Sequence, residues 1–399
     1  MRTLSFTCTS QLPMRRRAHV GAVASGDLEI VMTPAPGLTP GPAEATVVVR
    51  TSVDGYDTVW RRVLDRFFSE GAPAGHYEVN DFGATPGMVS LRLAQAREAA
   101  DTAGDAVPEP APVLPAPAPR PSFGELTARE RVRAVLDPGT FRELLGPFEG
   151  PQSPHLVPQG VVPQSDDGAV VGRGTLEGAD AVVLALDGAF QGGGVGEVSG
   201  AKLAAALDLA AEDRRRGLPI RVVLLLDTGG IRLQEANLGL LAVAEIHASL
   251  VRLSTTGPVV GVIAGPVGCF GGMGIAAALT SHLIMTRGGR LGLNGPEVIE
   301  TEAGPQELEA ADRTAVWAMI GGAQRVATGQ AERLVEDTVE QVAEAVREVW
   351  RSPAADAPPP RTARIAEARR LLAALDPTRR PTPADLRTLT TAPTTRGTS

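Results

Sequence analysis

The sequence predicts an α/β protein whose main core is preceded by a small α+β domain. Two observations carry this prediction: after Ala169, apolar runs alternate with helical stretches that open on glycine, and a proline-rich segment divides the chain. That segment, VPEPAPVLPAPAPRP at Val107–Pro121, holds seven prolines and favours a semi-rigid spacer. The 399 residues therefore divide into a first domain, a linker, a second domain and a tail, at 1–100, 101–121, 122–350 and 351–399.

The first domain combines strands and helices. Apolar and β-branched runs predict strands at Leu28–Met32 and Ala45–Arg50. Thr58–Ser69 places apolar residues on one face at helical spacing, which predicts an amphipathic helix. A second helix is expected over Gly87–Ala99, after the GATPG turn.

The second domain alternates strands with helices. A helix is predicted at Ala128–Leu136, followed by a hairpin across Leu176-Glu177-Gly178. Strands are predicted at Ala169–Thr175, Ala181–Leu186, Ile220–Leu226, Pro258–Ala264 and His282–Thr286. Because helices follow several of these strands, we expect the backbone amides at the strand ends to lie together in one region.

Composition excludes several classes of protein. Asp and Glu number 46 against 38 Lys and Arg, a net charge of -8, so nucleic acid is not an expected partner. No apolar run reaches the ~18 residues of a membrane helix, and no membrane association is expected. Cys8 and Cys269 are too few for a disulfide framework or a Cys-rich zinc site. We expect a cytoplasmic protein without a metal.

Three glycine-rich segments are the strongest candidates for chemistry: FQGGGVGEVSGAK at Phe190–Lys202, DTGGIRLQE at Asp227–Glu235 and GPVGCFGGMG at Gly265–Gly274. The last two follow predicted strands and open helices, where glycine lets backbone N–H groups approach a bound atom. Two such turns converging on one oxygen would form an oxyanion hole. A single glycine turn is more often structural, and none of the three has a phosphate-loop or dinucleotide register.

In their order and spacing, these segments and LGLNGPEVIE at Leu291–Glu300 resemble the β subunit of biotin-independent malonate decarboxylase. The resemblance runs from about Ser122 to Trp350 and implies a ClpP/crotonase-like carboxyltransferase core. It also implies a carboxy-lyase that converts a malonyl thioester into an acetyl thioester and carbon dioxide through an enolate. The amides predicted to bind the enolate oxygen are those of Gly229, Gly230, Ile231, Gly271 and Gly272.

Three further residues are candidates with open alternatives. Lys202 would contact a phosphate of a prosthetic arm or be a solvated surface lysine. Asn294 and Glu297 could each orient a water that protonates the enolate. Glu297 could equally cap a helix that begins at Pro296.

Other polar residues near the glycine turns have simpler interpretations. Arg232 could pair with the malonyl carboxylate, but an internal ion pair with Glu235 is favoured. His247 is interpreted as a core histidine rather than as a proton donor. Cys269 is interpreted as a small buried residue rather than as a nucleophile.

The first domain resembles the acyl carrier (δ) subunit of the same family. The motifs are VASGDLE at Val23–Glu29, TSVDG at Thr51–Gly55 and NDFGATPG at Asn80–Gly87. The resemblance implies that Ser25 carries a phosphoribosyl-dephospho-CoA prosthetic group through a phosphodiester. The alternative is an ordinary turn serine. The chain has no Met-Lys-Met biotin acceptor, so no biotin is expected on it.

The resemblance also implies partners: a homologous γ subunit, an acetyl-ACP:malonate transferase (α) subunit and a prosthetic-group transferase. Fusing carrier and catalyst holds the thioester at high effective concentration. Two other functions stay open, namely a carboxyltransferase that passes the carboxyl group to biotin on another protein, and a non-catalytic scaffold that presents the carrier. In the tail, Ile365–Leu375 has helical apolar spacing that could dock onto γ or form a solvated helix.

Overall fold

The computed structural model describes residues 1–35, 43–102, 122–352, 364–376, 378–379 and 381–391. The chain divides into two compact units, the first made of Met1–Ala118 and Leu145–Asp167 and the second of Pro119–Leu144 and Gly168–Ser399. Residues 103–121 of the predicted linker lie outside the described residues, as do several stretches of the tail.

The first unit is built on a five-stranded sheet with the order β1-β4-β5-β3-β2. Its strands are β1 (Arg2–Ser10), β2 (Ala18–Gly21), β3 (Leu28–Thr33), β4 (Ala43–Thr51) and β5 (His76–Asp81), and its helices are α1 (Asp57–Ser69) and α2 (Pro86–Thr102). Strands β4 and β5 run parallel, and the other pairs run antiparallel. Both predicted strands and both predicted helices are confirmed.

The core of the first unit lies between the sheet and the two helices. Alternate residues of β4 are buried, as expected for a strand with one face against a core. Helix α1 buries Trp60, Leu64, Phe67 and Phe68 on its apolar face. The Tyr77 ring of β5 meets the Phe68 ring edge to face, with 5.4 Å between ring centroids.

The first unit also includes Leu145–Asp167, which the sequence division placed in the domain at 122–350. The Glu29 carboxylate accepts hydrogen bonds from the backbone N–H groups of Ser165 and Asp166, at 2.8 and 2.7 Å. The Phe148 ring lies 4.2 Å below the Arg17 guanidinium carbon. Both contacts join residues far apart in sequence, so no local pattern predicts them.

The second unit is built on a seven-stranded sheet with the order β12-β11-β10-β9-β8-β7-β6. The strands are β6 (Arg142–Leu144), β7 (Ala169–Leu176), β8 (Ala179–Leu186), β9 (Arg221–Leu226), β10 (Val260–Ile263), β11 (His282–Thr286) and β12 (Arg333–Val335). The helices are α3 (Ala128–Val135), α4 (Glu197–Arg215), α5 (Asn237–Ser254), α6 (Gly271–Ala278), α7 (Pro296–Ala303), α8 (Arg313–Ile320), α9 (Gly322–Ala327), α10 (Val339–Arg351), α11 (Ile365–Ala373) and α12 (Pro383–Thr391).

Strands β8 to β12 are parallel, and β6 to β8 are antiparallel. Successive residues of β9 are buried on opposite faces: Val222 and Leu224 join a cluster with α4 and α5, whereas Val223 and Leu225 join a cluster with α3 and α10. Helices therefore cover both faces, which explains the nearly continuous apolar runs in the sequence. The predicted β7–β8 hairpin is confirmed, with Leu176 at the end of β7 and positive φ at Glu177 and Gly178.

Parallel strands bring their carboxyl ends to one edge of the sheet, where ligands of α/β folds commonly bind. Here the ends of β8, β9 and β10 lead into three glycine-containing turns, at Gly188, Asp227–Gly230 and Gly265–Gly268. Within the described residues, no helix is both long enough and apolar enough to cross a membrane.

Candidate active site

The glycine turns that follow β9 and β10 lie against each other. Thr228 donates its N–H to the Gly268 carbonyl at 2.7 Å, and its own carbonyl accepts from Phe270 N at 3.0 Å. A Cβ placed on Gly230 would lie 3.6 Å from the Cα of Gly271. The two turns that the sequence singled out therefore form one structural element.

The GGG segment packs against the same place. Gly229 donates to the Gly192 carbonyl at 2.8 Å, and Val195 donates to the Gly230 carbonyl at 2.8 Å. A Cβ on Gly193 would lie 2.0 Å from the Asp227 carbonyl oxygen, so only glycine fits there. All three glycine-rich segments meet beside the Asp227–Gly230 turn.

The five candidate amides are not equivalent. Three already donate within the protein, namely Gly229 N to Gly192 O at 2.8 Å, Gly230 N to Thr228 Oγ1 at 3.1 Å and Gly271 N to Leu293 O at 2.7 Å. The amides of Ile231 and Gly272 have no acceptor among the residues that the structure describes. Gly272 lies in the first turn of α6, where helix amides lack an intrahelical partner. The geometry therefore offers two amides to an external oxygen.

A buried carboxylate that sequence reasoning did not assign supports these turns. The Asp227 Oδ1 accepts from the amides of Val267 and Gly268, at 3.0 and 3.1 Å. Its Oδ2 accepts from both terminal nitrogens of Arg131, at 3.1 and 3.2 Å. Burial raises the pKa of Asp227, and the Arg131 charge opposes that rise. The signal in the sequence is an acidic residue directly after a buried strand.

Glycine makes the room that this carboxylate needs. A Cβ on Gly188 or on Gly265 would lie 2.3 or 2.2 Å from Asp227 Oδ2. Arg131 also donates to the carbonyl of Phe123 at 3.1 Å, which ties the segment before α3 to the pair. Asp227 and Arg131 thus cross-link the segments around the paired turns.

The favoured pairing of Arg232 with Glu235 is confirmed. Arg232 Nη1 lies 3.1 Å from Glu235 Oε1, and both side chains are almost fully buried. The other oxygen of Glu235 accepts from the Glu197 amide at 2.7 Å, at the start of α4. A Cβ on Gly196 would lie 2.2 Å from Glu235, so this pair also occupies space left by glycine.

Two residues near α6 have structural contacts. The sequence-based interpretation of His247 as a core histidine is wrong, because its side chain is only half-buried. Its Nε2 lies 2.7 Å from the Gly272 carbonyl oxygen. His247 therefore contacts Gly272, one of the two residues whose amides lack an acceptor within the described ranges. Cys269 is fully buried, and burial raises the pKa of its thiol. The interpretation of Cys269 as a small buried residue is confirmed.

The remaining candidates differ in exposure. Lys202 is buried, and its Nζ donates to the Ala169 carbonyl at 2.8 Å, so it is not a solvated surface lysine. Its contact with a phosphate stays a prediction. Asn294 and Glu297 are exposed, and Glu297 lies in the first turn of α7, which begins at Pro296. Their part in proton transfer also stays a prediction.

Ser25 lies on an exposed turn just before β3. Asp27 donates its N–H to the Ala24 carbonyl at 2.8 Å, and Gly26 has a φ of +77°. Arg92 hydrogen-bonds the Asp27 carboxylate through Nε at 2.9 Å and holds the pKa of that carboxyl below its ordinary value. The hydroxyl of Ser25 is thus presented to solvent by a braced turn.

The motif around Ser25 ends in a fully buried carboxylate. Glu29 accepts from Asn80 Nδ2 at 2.7 Å and lies 2.9 Å from His19 Nε2, in addition to its contacts with the two amides described above. Asn80 opens the NDFGATPG motif, so this contact joins two of the three motifs of the first unit. In the described part of the chain, no cluster of His, Cys, Asp and Glu side chains is arranged to hold a metal ion.

Comparison with known proteins agrees with this architecture. Residues 120–397 match the family described as carboxyl transferase domain, and residues 15–100 match the malonate decarboxylase delta subunit (MdcD). The chain belongs to the carboxyl transferase family. Its first unit carries, in addition, a malonate decarboxylase acyl carrier region.

Three similar proteins define the relationship. The malonyl-S-ACP:biotin-protein carboxyltransferase of Malonomonas rubra is 41% identical over 242 residues, which cover 58% of this chain and 76% of that protein. The malonate decarboxylase acyl carrier protein of Azotobacter vinelandii is 47% identical over 100 residues, which cover 25% of this chain and 95% of the carrier. A chain of a Pseudomonas malonate decarboxylase hetero-tetramer in complex with malonate is 55% identical with a TM-score of 0.64, over 68% of this chain and 98% of that one.

These findings confirm the family and the fold class predicted from the sequence. The chain is a fusion of a malonate decarboxylase acyl carrier with a carboxyltransferase-type catalytic domain, and it is an enzyme of the decarboxylase type. An acyl carrier region implies a covalently attached prosthetic group.

Proposed function

We propose that this chain decarboxylates a malonyl thioester held on its own carrier region and forms an acetyl thioester and carbon dioxide. When the bond between the carboxyl group and the α-carbon breaks, its electron pair moves into the thioester and forms an enolate. Negative charge then grows on the thioester oxygen, and a proton must reach the α-carbon. A catalyst for this step stabilises that oxygen more strongly in the transition state than in the substrate.

The observation that carries this proposal is that the amides of Ile231 and Gly272, on turns that touch each other, have no acceptor in the described part of the chain. Two N–H donors fixed by a surrounding hydrogen-bond network need no reorganisation when charge develops. Removal of one donor from such a site costs about 2.7–4 kcal/mol of transition-state stabilisation. The neighbouring amides of Gly229, Gly230 and Gly271 fix the turns by donating within the protein.

The prosthetic group that we propose on Ser25 is phosphoribosyl-dephospho-CoA, joined through a phosphodiester. When bound, it supplies the thiol that carries the acyl group as a thioester. The residues fit an attachment of this kind, because the Ser25 hydroxyl is exposed and the adjacent Gly26 adds no side chain beside it. The fusion keeps substrate and catalyst on one polypeptide, which raises their effective concentration.

For protonation of the enolate we propose a water molecule oriented by Asn294 or Glu297. Both side chains are exposed and follow Leu293, whose carbonyl accepts the N–H of Gly271 at 2.7 Å. Lys202 has no part in this proton transfer, because its ammonium group is buried and donates to the Ala169 carbonyl; its contact with a phosphate of the prosthetic arm stays a prediction.

We propose that a homologous γ subunit covers the catalytic region, with the α transferase subunit and the prosthetic-group transferase as further cytoplasmic partners. Several large apolar side chains are exposed on and beside the elements that carry the two amides. Exposed apolar surface of this kind supports the proposal that a partner subunit packs there. The exposed side chains are Leu233 (81% exposed), Leu240 (55%), Leu241 (59%), Ile275 (47%) and Leu293 (65%). The similar Pseudomonas protein is a hetero-tetramer.

Replacing Ile231 by Pro in the reconstituted complex tests the catalytic proposal, because proline removes one N–H and leaves most of the side-chain bulk. We expect kcat for carbon dioxide release to fall about 10²–10³-fold. The control is Ile231→Val, which keeps the amide and should retain most of the activity. An Ile231→Pro enzyme that is folded and fully active would remove Ile231 from the site.

The Malonomonas rubra relative supports a second candidate, in which the carboxyl group passes to biotin on another protein. Both functions begin with cleavage of the same carbon–carbon bond and differ in the fate of the carbon dioxide. Avidin distinguishes them: release by a decarboxylase continues in its presence, whereas transfer to biotin stops. Loss of acetyl thioester formation on addition of avidin would favour the transferase.

A further inference from the structure

The first unit contains a cavity to which the proposed function assigns no role. It has a volume of about 240 Å³ and lies between α1, α2 and the carboxyl ends of β4 and β5. Its apolar wall includes Val59, Trp60, Val63 and Val89. Its polar groups include Thr51 and Asp81, both almost fully buried.

The cavity is built from motifs that the catalytic proposal leaves unused. TSVDG supplies Thr51 and Val53, and NDFGATPG supplies Asp81, Gly83 and Ala84. Of the three motifs of the first unit, only the one around Ser25 has a role so far. The other two meet at this cavity.

The Ser25 turn is directly connected to the cavity wall. Gly26 donates its N–H to the Phe82 carbonyl at 3.0 Å, and Phe82 donates to the Asp27 carbonyl at 3.1 Å. The two residues that follow Phe82 line the cavity. Gly26 and Phe82 thus connect Ser25 to the cavity wall, which begins at Gly83.

The lining matches a flat heterocycle with an amino group. Trp60 and Tyr56 contribute aromatic surface to the lining, and Tyr56 is 49% exposed. Asp81 Oδ2 accepts from the Thr51 hydroxyl at 2.6 Å, and Oδ1 accepts from Ala84 N at 2.8 Å. A carboxylate has about four lone-pair sites, so it retains acceptor capacity for a further donor. Apolar walls with a few polar groups are typical of small-molecule sites.

We propose that this cavity binds the adenine base of the prosthetic arm on Ser25. The inference rests on the proposed function for the identity of the arm. In phosphoribosyl-dephospho-CoA the adenosine portion lies near the serine attachment, whereas the thiol is at the far end of the pantetheine chain. The base is thus the apolar, flat part of the arm that can reach a cavity beside Ser25. The amino group of adenine donates to Asp81, and its ring packs on the aromatic and valine side chains.

Anchoring the base has a consequence for the carrier. The phosphoribosyl and adenine portions become part of the folded unit, and only the pantetheine portion moves with the thioester. A shorter mobile arm samples a smaller volume, and its thioester reaches a nearby catalyst at a higher effective concentration.

The test uses the unmodified full chain and free 3′-dephospho-CoA as the probe, read by saturation-transfer NMR. We expect the adenine H2 and H8 protons to receive more saturation than the pantetheine methyl groups. Ala84→Leu fills the cavity and should lower the adenine signal about tenfold, in line with the loss of one stacked base. Ala94→Leu, on the exposed side of α2, is the matched control and should leave the signal unchanged.

Val59→Phe provides a second cavity-filling variant in case Ala84→Leu disturbs the fold. Equal adenine signals in the parent chain, both filled variants and the control would overturn the inference, because any binding would then lie elsewhere. Stronger saturation of the pantetheine methyl groups, lost in the filled variants, would also overturn it and assign the cavity to the thioester end. Failure of the proposed function would be seen separately, as an unmodified Ser25 or the absence of carbon dioxide release.

Discussion

The Ser25 turn and the paired glycine turns are built in opposite ways. The Ser25 turn presents one exposed side chain, and the carboxylates of Asp27 and Glu29 brace the chain that follows it. The paired turns present main-chain N–H groups, and the buried Asp227 carboxylate holds the chain beneath them. Both regions place a carboxylate behind a glycine turn, but only the first has its functional group in a side chain.

This difference determines how each region can be altered. A site made of one exposed hydroxyl is removed by deleting one oxygen atom, and its surroundings stay folded. A site made of backbone amides survives most substitutions of its own side chains, so it is altered mainly through the groups that hold the turns. The predictions below separate these two cases.

The largest effect is expected at Ser25. Ser25→Ala removes the hydroxyl to which the arm is attached, so the chain should gain no mass from the prosthetic-group transferase and should release no carbon dioxide in cis. Thermal unfolding should be unchanged, because the side chain is exposed. Intact mass spectrometry and a carbon dioxide assay measure the two outcomes.

Ser52→Ala is the matched control, since Ser52 is also exposed on the first unit. It should be modified and active like the parent chain. If Ser25→Ala still gains the full mass of the arm, the attachment lies at another residue and the first half of the comparison fails.

The next largest effect is expected at Asp227. Asp227→Asn leaves the buried Arg131 without its counter-ion, and breaking a buried pair in this way costs about 3–5 kcal/mol. The free energy of unfolding from denaturant titration should fall by that amount. Carbon dioxide release should fall with it, even though Asp227 offers no group to the substrate in our proposal.

Asp208→Asn is the control for this change. Asp208 pairs with Arg252 at 2.8 Å, but both side chains are about half exposed, so the expected loss is below about 1 kcal/mol. Equal losses in the two variants would show that the buried pair does not support the turns.

The strands, helices and motifs could be predicted from the sequence. Which backbone N–H groups of the glycine turns lack an acceptor in the described residues could not be predicted. Strand β9 and the turn at Gly229-Gly230 could be predicted because an apolar run followed by glycine is a local pattern. The distinction between Gly230 and Ile231 could not, because it depends on the Thr228 hydroxyl accepting the N–H of Gly230. The sequence left open whether Lys202 contacts a phosphate or is solvated, and it could not show the burial of this side chain because the acceptor, the Ala169 carbonyl, is far away in sequence.

A smaller effect is expected at Glu29, the buried carboxylate of the first unit. Glu29→Gln replaces one oxygen with an NH₂ group that faces donors, since Asn80, Ser165 and Asp166 all donate to this carboxylate. Loss of one hydrogen bond to a charged group costs about 1.5–3 kcal/mol. Hydrogen exchange at the amides of Ser165 and Asp166 should become faster.

Glu78→Gln is the control within the same sheet, because Glu78 is partly exposed and pairs with Arg50 at 3.2 Å. It should leave the exchange of both amides unchanged. If Glu29→Gln also leaves them unchanged, then Glu29 does not hold Leu145–Asp167 to the first unit.

The smallest effect is expected from pH, at the partly exposed pair of Asp27 and Arg92. Arg92 lowers the pKa of Asp27, so the pair stabilises the fold above the unfolded pKa of about 3.9 and loses that contribution as pH falls through the folded value. Solvent screening limits the contribution to below about 1 kcal/mol. Unfolding free energies of the parent chain and Arg92→Met should differ at pH 7 and converge as the pH falls below the unfolded pKa of Asp27. A difference that stays constant with pH would assign the effect to lost packing of the Arg92 stem. Convergence would distinguish the two regions, because the carboxylate beside the Ser25 turn, Asp27, is partly exposed, whereas the carboxylate beneath the paired glycine turns, Asp227, is buried.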